Sequence, residues 1–284
     1  MKLLSRFKNW FTRKQSIHPL QEIKTEPDII LQPWWGTYGF IEGQFHQWQV
    51  GNLSIGAKRK FNEWQIASWA TFNPQLQDLP LSNELLSFKQ INYRTTQDTV
   101  AVKPIAADKQ TNSKLMHPIH IPGHTEVLLF VLSPIWVELT TLSPEILLQE
   151  FSTSPLTDSW LGLNTLEGEL CYASFTACST TLDDLNASNH YLITPIAVKN
   201  QSKLTLILDK IILPAPYLAV YTDKYHRLWT EKLLMKWEGV DLPYSKIMKG
   251  PPHLLQEPQL LSPARLELSS TSGFKSLLHN LIGK

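Results

Sequence analysis

Asp158–Cys178 reads DSWLGLNTLEGELCYASFTAC. Gly162, Asn164 and Gly168 carry turn chemistry, because glycine tolerates positive φ and asparagine hydrogen-bonds its own backbone, so a loop should end near Gly168. From Glu169 onward Leu170, Tyr172, Ser174 and Thr176 alternate with Cys171, Ala173, Phe175 and Ala177. That period of two predicts a strand with one face more apolar than the other, and with it a β-rich chain. Glu167 and Glu169 would share a face about 7 Å apart, a separation at which two carboxylates can divide acid and base work. Acids at a strand mouth are more commonly solvated, so the expectation here is a loop running into a strand rather than a catalytic pair.

Upstream, WWGTYGFIEG from Trp34, then FHQWQV, NLSIGA and EWQIASWA, offer short alternating runs separated by turn residues, the pattern of an antiparallel meander. Leu76 to Phe88 suits a short helix capped by Ser82 or a loop. LMHPIHIPGH places His117, His120 and His124 within eight residues, and neutral imidazoles can bind zinc or nickel if a turn gathers them. Pro118 and Pro122 favour an extended segment that splays the rings, so no metal is expected. Thr125 to Thr141 is a near-continuous apolar run broken by Ser133 and Pro134, which predicts two strands buried on both faces with a bulge or bend at Pro134. Pro144 to Phe151 reads as one or two helical turns behind a Ser143 cap.

Downstream, His190 to Lys199 and Leu204 to Leu213 read as strands around a turn at Asn200 to Lys203. In the latter strand Leu204, Leu206, Leu208 and Lys210 share one face. Pro214 and Pro216 bracket a break, after which Tyr217 to Tyr221 and Arg227 to Trp237 form a predicted hairpin across Thr222 to His226. The Trp229, Glu231, Leu233, Met235 and Trp237 face should be half buried. Short strands in such succession fit an immunoglobulin-like sandwich.

The run DSWLGLNTLEGELCYASFTAC, followed by TPIAVKNQSKLTLILDKIILPAPYLAVYTDKYHRLWTEKL, resembles the bacterial branch of the domain of unknown function family 432. WWGTYGFIEG and SPIWVELTT fall where that family has a Gly-rich opening strand and a Pro-interrupted core strand. The likeness spans roughly Trp34 to Trp237, and LEGELCYAS and LPAPYLAVYTDKYHRLWT are its most specific runs. It implies a mostly β chain, often encoded beside small-conductance mechanosensitive channels, and it assigns no catalytic residue.

A chain of 284 residues with 43% hydrophobic and 18% charged content can bury a core without staples. Its 19 prolines outnumber its 12 glycines, and proline at that level punctuates short strands better than long helices. Lys2, Arg6, Lys8, Arg13 and Lys14 are five positive charges before residue 15; removing them from the formal net charge of +1 leaves −4 for the rest. A nucleic-acid binder spreads its basic residues over the folded surface, so nucleic acid is not an expected partner. Cys171 and Cys178 stand seven apart, an odd spacing that points them to opposite faces of one strand; two free, buried thiols in a reducing compartment are expected. No apolar run reaches 18 residues and charges interrupt any N-terminal leader, so the expectation is a cytoplasmic protein.

Leu3, Leu4, Phe7, Trp10 and Phe11 recur at i, i+1, i+4, i+7 and i+8 opposite Lys2, Arg6 and Arg13. An apolar face backed by basic residues suits a helix lying on an anionic membrane surface, or one docked on protein. Phe274, Leu277, Leu278, Leu281 and Ile282 repeat the spacing at the other end behind Thr271 and Ser272. The expected organisation is a basic amphipathic segment and linker (1–33), a first β region (34–141), a second, immunoglobulin-like β region (142–240), and a Pro-rich strap with a C-terminal amphipathic helix (241–284). The fold class is mainly β, with two antiparallel sandwich-like regions.

The sequence contains no Gly-rich phosphate loop, nucleophile elbow, paired-cysteine zinc spacing or HExxH helix, and it implies no cofactor. Two readings follow. One, which the terminal amphipathic pattern suggests and the family resemblance implies, is a non-catalytic protein at the inner membrane face, an accessory or regulator of a mechanosensitive channel. The other is a carbohydrate-type binding module or hydrolase with a cleft between its β regions, for which Trp160, Glu167, Glu169, Tyr172, Tyr217 and Trp229 are the candidate ligand surface.

Overall fold

Period-two alternation and frequent proline produce many short strands. In the computed structural model they are described over residues 33–61, 63–70, 91–94, 97–155, 157–161, 168–185, 188–239 and 244–267. The terminal segments carrying Leu3, Leu4, Phe7, Trp10 and Phe11, and Phe274, Leu277, Leu278 and Leu281, lie outside the described residues, as do Glu167 and 76–88. In chain order the first ten strands are β1 (Gly36–Gly39), β2 (Phe45–Val50), β3 (Leu53–Lys60), β4 (Glu63–Ala70), β5 (Ile91–Arg94), β6 (Thr99–Ile105), β7 (Thr111–Ile121), β8 (Glu126–Pro134), β9 (Trp136–Thr141) and β10 (Leu147–Ser152). The next ten are β11 (Thr157–Leu161), β12 (Glu169–Thr176), β13 (Cys178–Ser179), β14 (Tyr191–Asn200), β15 (Leu206–Leu213), β16 (Val220–Thr222), β17 (Leu228–Trp229), β18 (Lys232–Trp237), β19 (Tyr244–Met248) and β20 (Gln259–Ser262). Among the described residues the helical content is a single 3-10 turn, Ala215–Tyr217.

Four sheets result. Sheet I has the order β1-β6-β9-β10, and sheet II is the expected meander β2-β3-β4-β5. Their inward side chains meet in one cluster: Trp48, Ile55, Trp64 and Ile66 from sheet II face Val100, Val102, Val137 and Leu139 from sheet I. Sheet III has the order β11-β12-β7-β15, and sheet IV is built around β14, with β8 on one side and β17 and β18 on the other. These two share a second cluster, in which Leu115, Leu206, Leu208 and Ile211 pack against Leu129, Val131, Ile196, Val198 and Leu233. Three pairings are parallel: β12 with β7, and β14 with both β17 and β18.

The apolar run 125–141 supplies a central strand to each pair of sheets. Leu129 and Val131 of β8 point into the second cluster, while Phe130 and Leu132 point the other way, against Trp229 and Leu185. The expected break at Pro134 is where the chain leaves sheet IV for sheet I. Ile135 between them is fully buried, and its carbonyl accepts from both the N–H (3.1 Å) and the hydroxyl (2.8 Å) of Thr153. Strands from both sides of residue 141 therefore share sheets, β7 and β8 with β12, β14 and β15, and β9 with β10.

Two local expectations are corrected. The predicted helical turn over 144–151 is strand β10, because Thr141 takes the Pro144 carbonyl on its hydroxyl (2.6 Å) and donates its N–H to Ile146 (2.9 Å), folding the chain back along β9. The predicted strand 227–237 is two strands parted at Thr230–Glu231. Thr230 turns inward, its N–H to the Ile193 carbonyl (3.1 Å) and its hydroxyl to that of Thr194 (3.0 Å). Trp229, Glu231, Leu233 and Met235 are buried outright rather than half buried.

Past residue 250 the proline-rich segment lies over the body. β20 pairs with β16, and Arg265 donates from Nε to the Ala106 carbonyl (2.8 Å) and from Nη1 to Glu150 (2.9 Å) with its guanidinium over Trp136.

Candidate functional site

The sequence-predicted surface disperses. Trp160 is half exposed on β11, on the same face of sheet III as Tyr172, since Asp158 and Trp160 stand opposite Tyr172 and Leu170. Tyr172 itself is buried, with its hydroxyl donating to Asp108 (2.7 Å) and Lys109 over its ring. Burial, then the hydrogen bond to Asp108 and the Asp108 charge, push its phenol far above the ordinary range. Glu169 is exposed and accepts from Gln110 Nε2 at 2.9 Å. Tyr217 lies apart, in the 3-10 turn against the second cluster. Trp229 is fully buried, its indole N–H spent on Asp223 (3.0 Å), and so is unavailable for stacking on a sugar.

His117 and His120 are exposed on β7, and His124 follows in a turn at φ 57°. Among the described residues no three His, Cys, Asp or Glu side chains converge as a metal set. Cys171 and Cys178 are free thiols in different sheets rather than on one strand. Burial raises both pKa values, Cys178 to about 11, which leaves neither as an activated nucleophile.

Sheet III does form an open groove of about 820 Å³ with the adjoining ends of β8 and β14. Asn112, Lys114, Thr157, Phe175 and Lys210 line one wall, and Leu132, Pro134 and Tyr191 the other. Among the described residues its charged lining is two lysines, with no Asp, Glu or His. Phe175, Lys114 and Lys210 are register partners across β12, β7 and β15, so they form one row on one face. All three are exposed, Phe175 at 79%, and the Lys114 ammonium lies 5.8 Å from its ring centre.

Sequence reading missed this row for a definite reason. Strict alternation puts Lys210 beside Leu208, toward the core. A register shift between Leu208 and Lys210 resets the alternation, so that Ile211 is buried and Lys210 faces out beside Lys114. The available signal was Asp209–Lys210, a charged pair inside an otherwise apolar run.

Two acids are buried, Asp223 and Glu231. Glu231 is 6% exposed and accepts the Ala219 N–H at 2.8 Å; burial raises its pKa above the ordinary 4.5, against smaller opposing effects of its hydrogen bonds and Lys249. A carboxyl whose folded pKa is raised contributes stability that is present at low pH and lost as pH rises through that folded value. Thermal melts from pH 4 to 8 should therefore show wild type losing stability relative to Glu231→Gln as pH rises past the ordinary Glu range. Parallel profiles would mean that Glu231 is not held protonated by the fold.

The fold is mainly β, and its open groove at the meeting of two sheets carries two lysines among its described lining residues. The chain belongs to the family described as protein of unknown function (DUF432), whose sequence model matches residues 34–279. No curated protein and no solved structure matches it.

Proposed function

We propose that this is a non-catalytic β protein that works as a cytoplasmic, peripheral accessory at the inner membrane face and modulates a mechanosensitive channel. The observation that carries the reading is the groove: among the described residues its charges are two opposed lysines beside an exposed phenylalanine, with no carboxylate to serve as general acid or base. Such a site attracts anions. Support from the sequence comes from the basic amphipathic pattern of 1–14, the apolar repeat of 274–282, and the family's implied association with such channels. No helix among the described residues is long and apolar enough to cross a membrane. The proposal extends to helices at both termini and to an immunoglobulin-like character for 142–240. The latter is supported by that region's many short strands and buried Trp229, while the parallel neighbours of β14 distinguish it from a purely antiparallel sandwich.

Flotation of the full chain with vesicles containing phosphatidylglycerol tests the reading. Binding is expected for the intact protein, and a several-fold weaker binding after removal of 1–14 and 274–284. An intact chain that stays with the soluble fraction would defeat it. The groove's size keeps a carbohydrate-type ligand as a second reading, for which Phe175 and Tyr191 supply the rings.

A further inference from the structure

Two lysines directly opposed on neighbouring strands repel one another, and a fold gains nothing from placing them so. Lys114 and Lys210 are such a pair, their Cα atoms about 4.5–5.5 Å apart by strand geometry. Among the described residues no carboxylate comes within ion-pair distance of either. The ion pairs of Lys103, Lys109, Lys199, Arg227 and Arg265 use other acids, one of which is Asp158 on the other face of sheet III. Asp209 falls in the register shift and does not line the groove. An anion bridging the two ammonium groups would relieve that repulsion.

The surroundings say what kind of anion. Phe175 continues the lysine row, and Met116, two residues beyond Lys114 on the same face of β7, is 68% exposed. Large apolar side chains so bare flanking a cation pair suit an amphiphile, a charged head with an apolar body behind it. A small hydrophilic anion would use the lysines and leave both apolar side chains in water.

We propose that the row Phe175–Lys114–Lys210 holds the phosphate of an anionic phospholipid at the bilayer surface, with Phe175 and Met116 entering the interfacial layer. This rests on the peripheral-membrane reading above and moves part of the contact from the chain termini to the body.

The full chain should be partitioned onto phosphatidylcholine vesicles with and without phosphatidylglycerol, and titrated separately with inorganic phosphate. Binding is expected with phosphatidylglycerol alone. Lys114→Glu/Lys210→Glu should weaken it at least about tenfold, while Lys60→Glu/Lys246→Glu, an equal charge change at exposed lysines of β3 and β19, should weaken it far less. Phe175→Ser should weaken it several-fold with the unfolding midpoint unchanged. If the paired-lysine variant binds vesicles as wild type does, the groove assignment is wrong while surface attachment stands. If wild type ignores vesicles, both fall. If inorganic phosphate binds in a Lys114- and Lys210-dependent way and vesicles do not, the ligand is a soluble phosphate and the lipid assignment is overturned.

Discussion

Asp223→Ala should lower the stability of this protein by about 3–5 kcal/mol, the range for removing one member of a buried charge pair. Asp223 is 3% exposed, and its carboxylate gathers four donors. Oδ1 takes the backbone N–H groups of Tyr225 and Arg227, each at 3.0 Å, and Oδ2 takes Arg227 Nε at 2.7 Å and the Trp229 indole at 3.0 Å. Those bonds close the loop between β16 and β17 and allow His226 its positive φ of 60°. Alanine strands the indole N–H in a dry core and frees the loop. The Arg227 side chain is about a quarter exposed and can turn to water, which keeps the cost within that range rather than above it. Asp223→Asn should be nearly as harmful, since its amide N–H₂ would face two donors. Urea unfolding with Trp fluorescence measures both; a loss under 1 kcal/mol for the alanine variant would show that the loop is held by something else.

The second large effect is expected at Asn200, which is fully buried at the end of β14. Its Nδ2 donates to the carbonyls of Ile121 (2.9 Å), Pro122 (3.1 Å) and Leu204 (2.8 Å), and its Oδ1 accepts the N–H (3.0 Å) and hydroxyl (2.9 Å) of Ser202. One side chain thus ties the turn after β7 to the turn before β15. The two turns touch: a Cβ on Gly123 would lie 2.7 Å from the carbonyl oxygens of Ser202 and Lys203, so that position needs glycine. Asn200→Ala orphans several buried groups at about 1–3 kcal/mol each, partly recovered by relaxation, for an expected loss of about 3–4 kcal/mol. Asn200→Asp should cost at least as much, because an acceptor replaces the donor that faces three carbonyls. A milder effect of aspartate than of alanine would contradict this geometry.

Strand periodicity was legible wherever one face is buried. The alternation from Glu169 to Thr176 became β12, and the doubly apolar run 125–141 became two central strands. β10 was misread because its fold-back depends on Thr141, several residues upstream, and on pairing with β9, neither of which leaves a mark in local periodicity. The parallel pairings were invisible for a similar reason: β7 meets β12 and β14 meets β18 through distant segments, and propensity reports only near neighbours. The groove lay beyond reach because a single register shift inverts the facing of Lys210. Asp223 was hidden too, since an aspartate in a hairpin loop ordinarily signals a solvated turn.

The passage of the chain at Pro134 from sheet IV to sheet I bears on biogenesis. Residues up to Ser152 complete sheets I and II, yet β7 and β8 have by then been synthesised with their partners still missing. His120 must wait for Ile207, 87 positions later, and Leu132 for Ile193. Through that interval a nascent chain on the ribosome carries two strands with open edges between strands whose own sheet partners are already made. It is a slow, high-contact-order assembly that invites chaperone capture or mispairing with a neighbouring nascent chain.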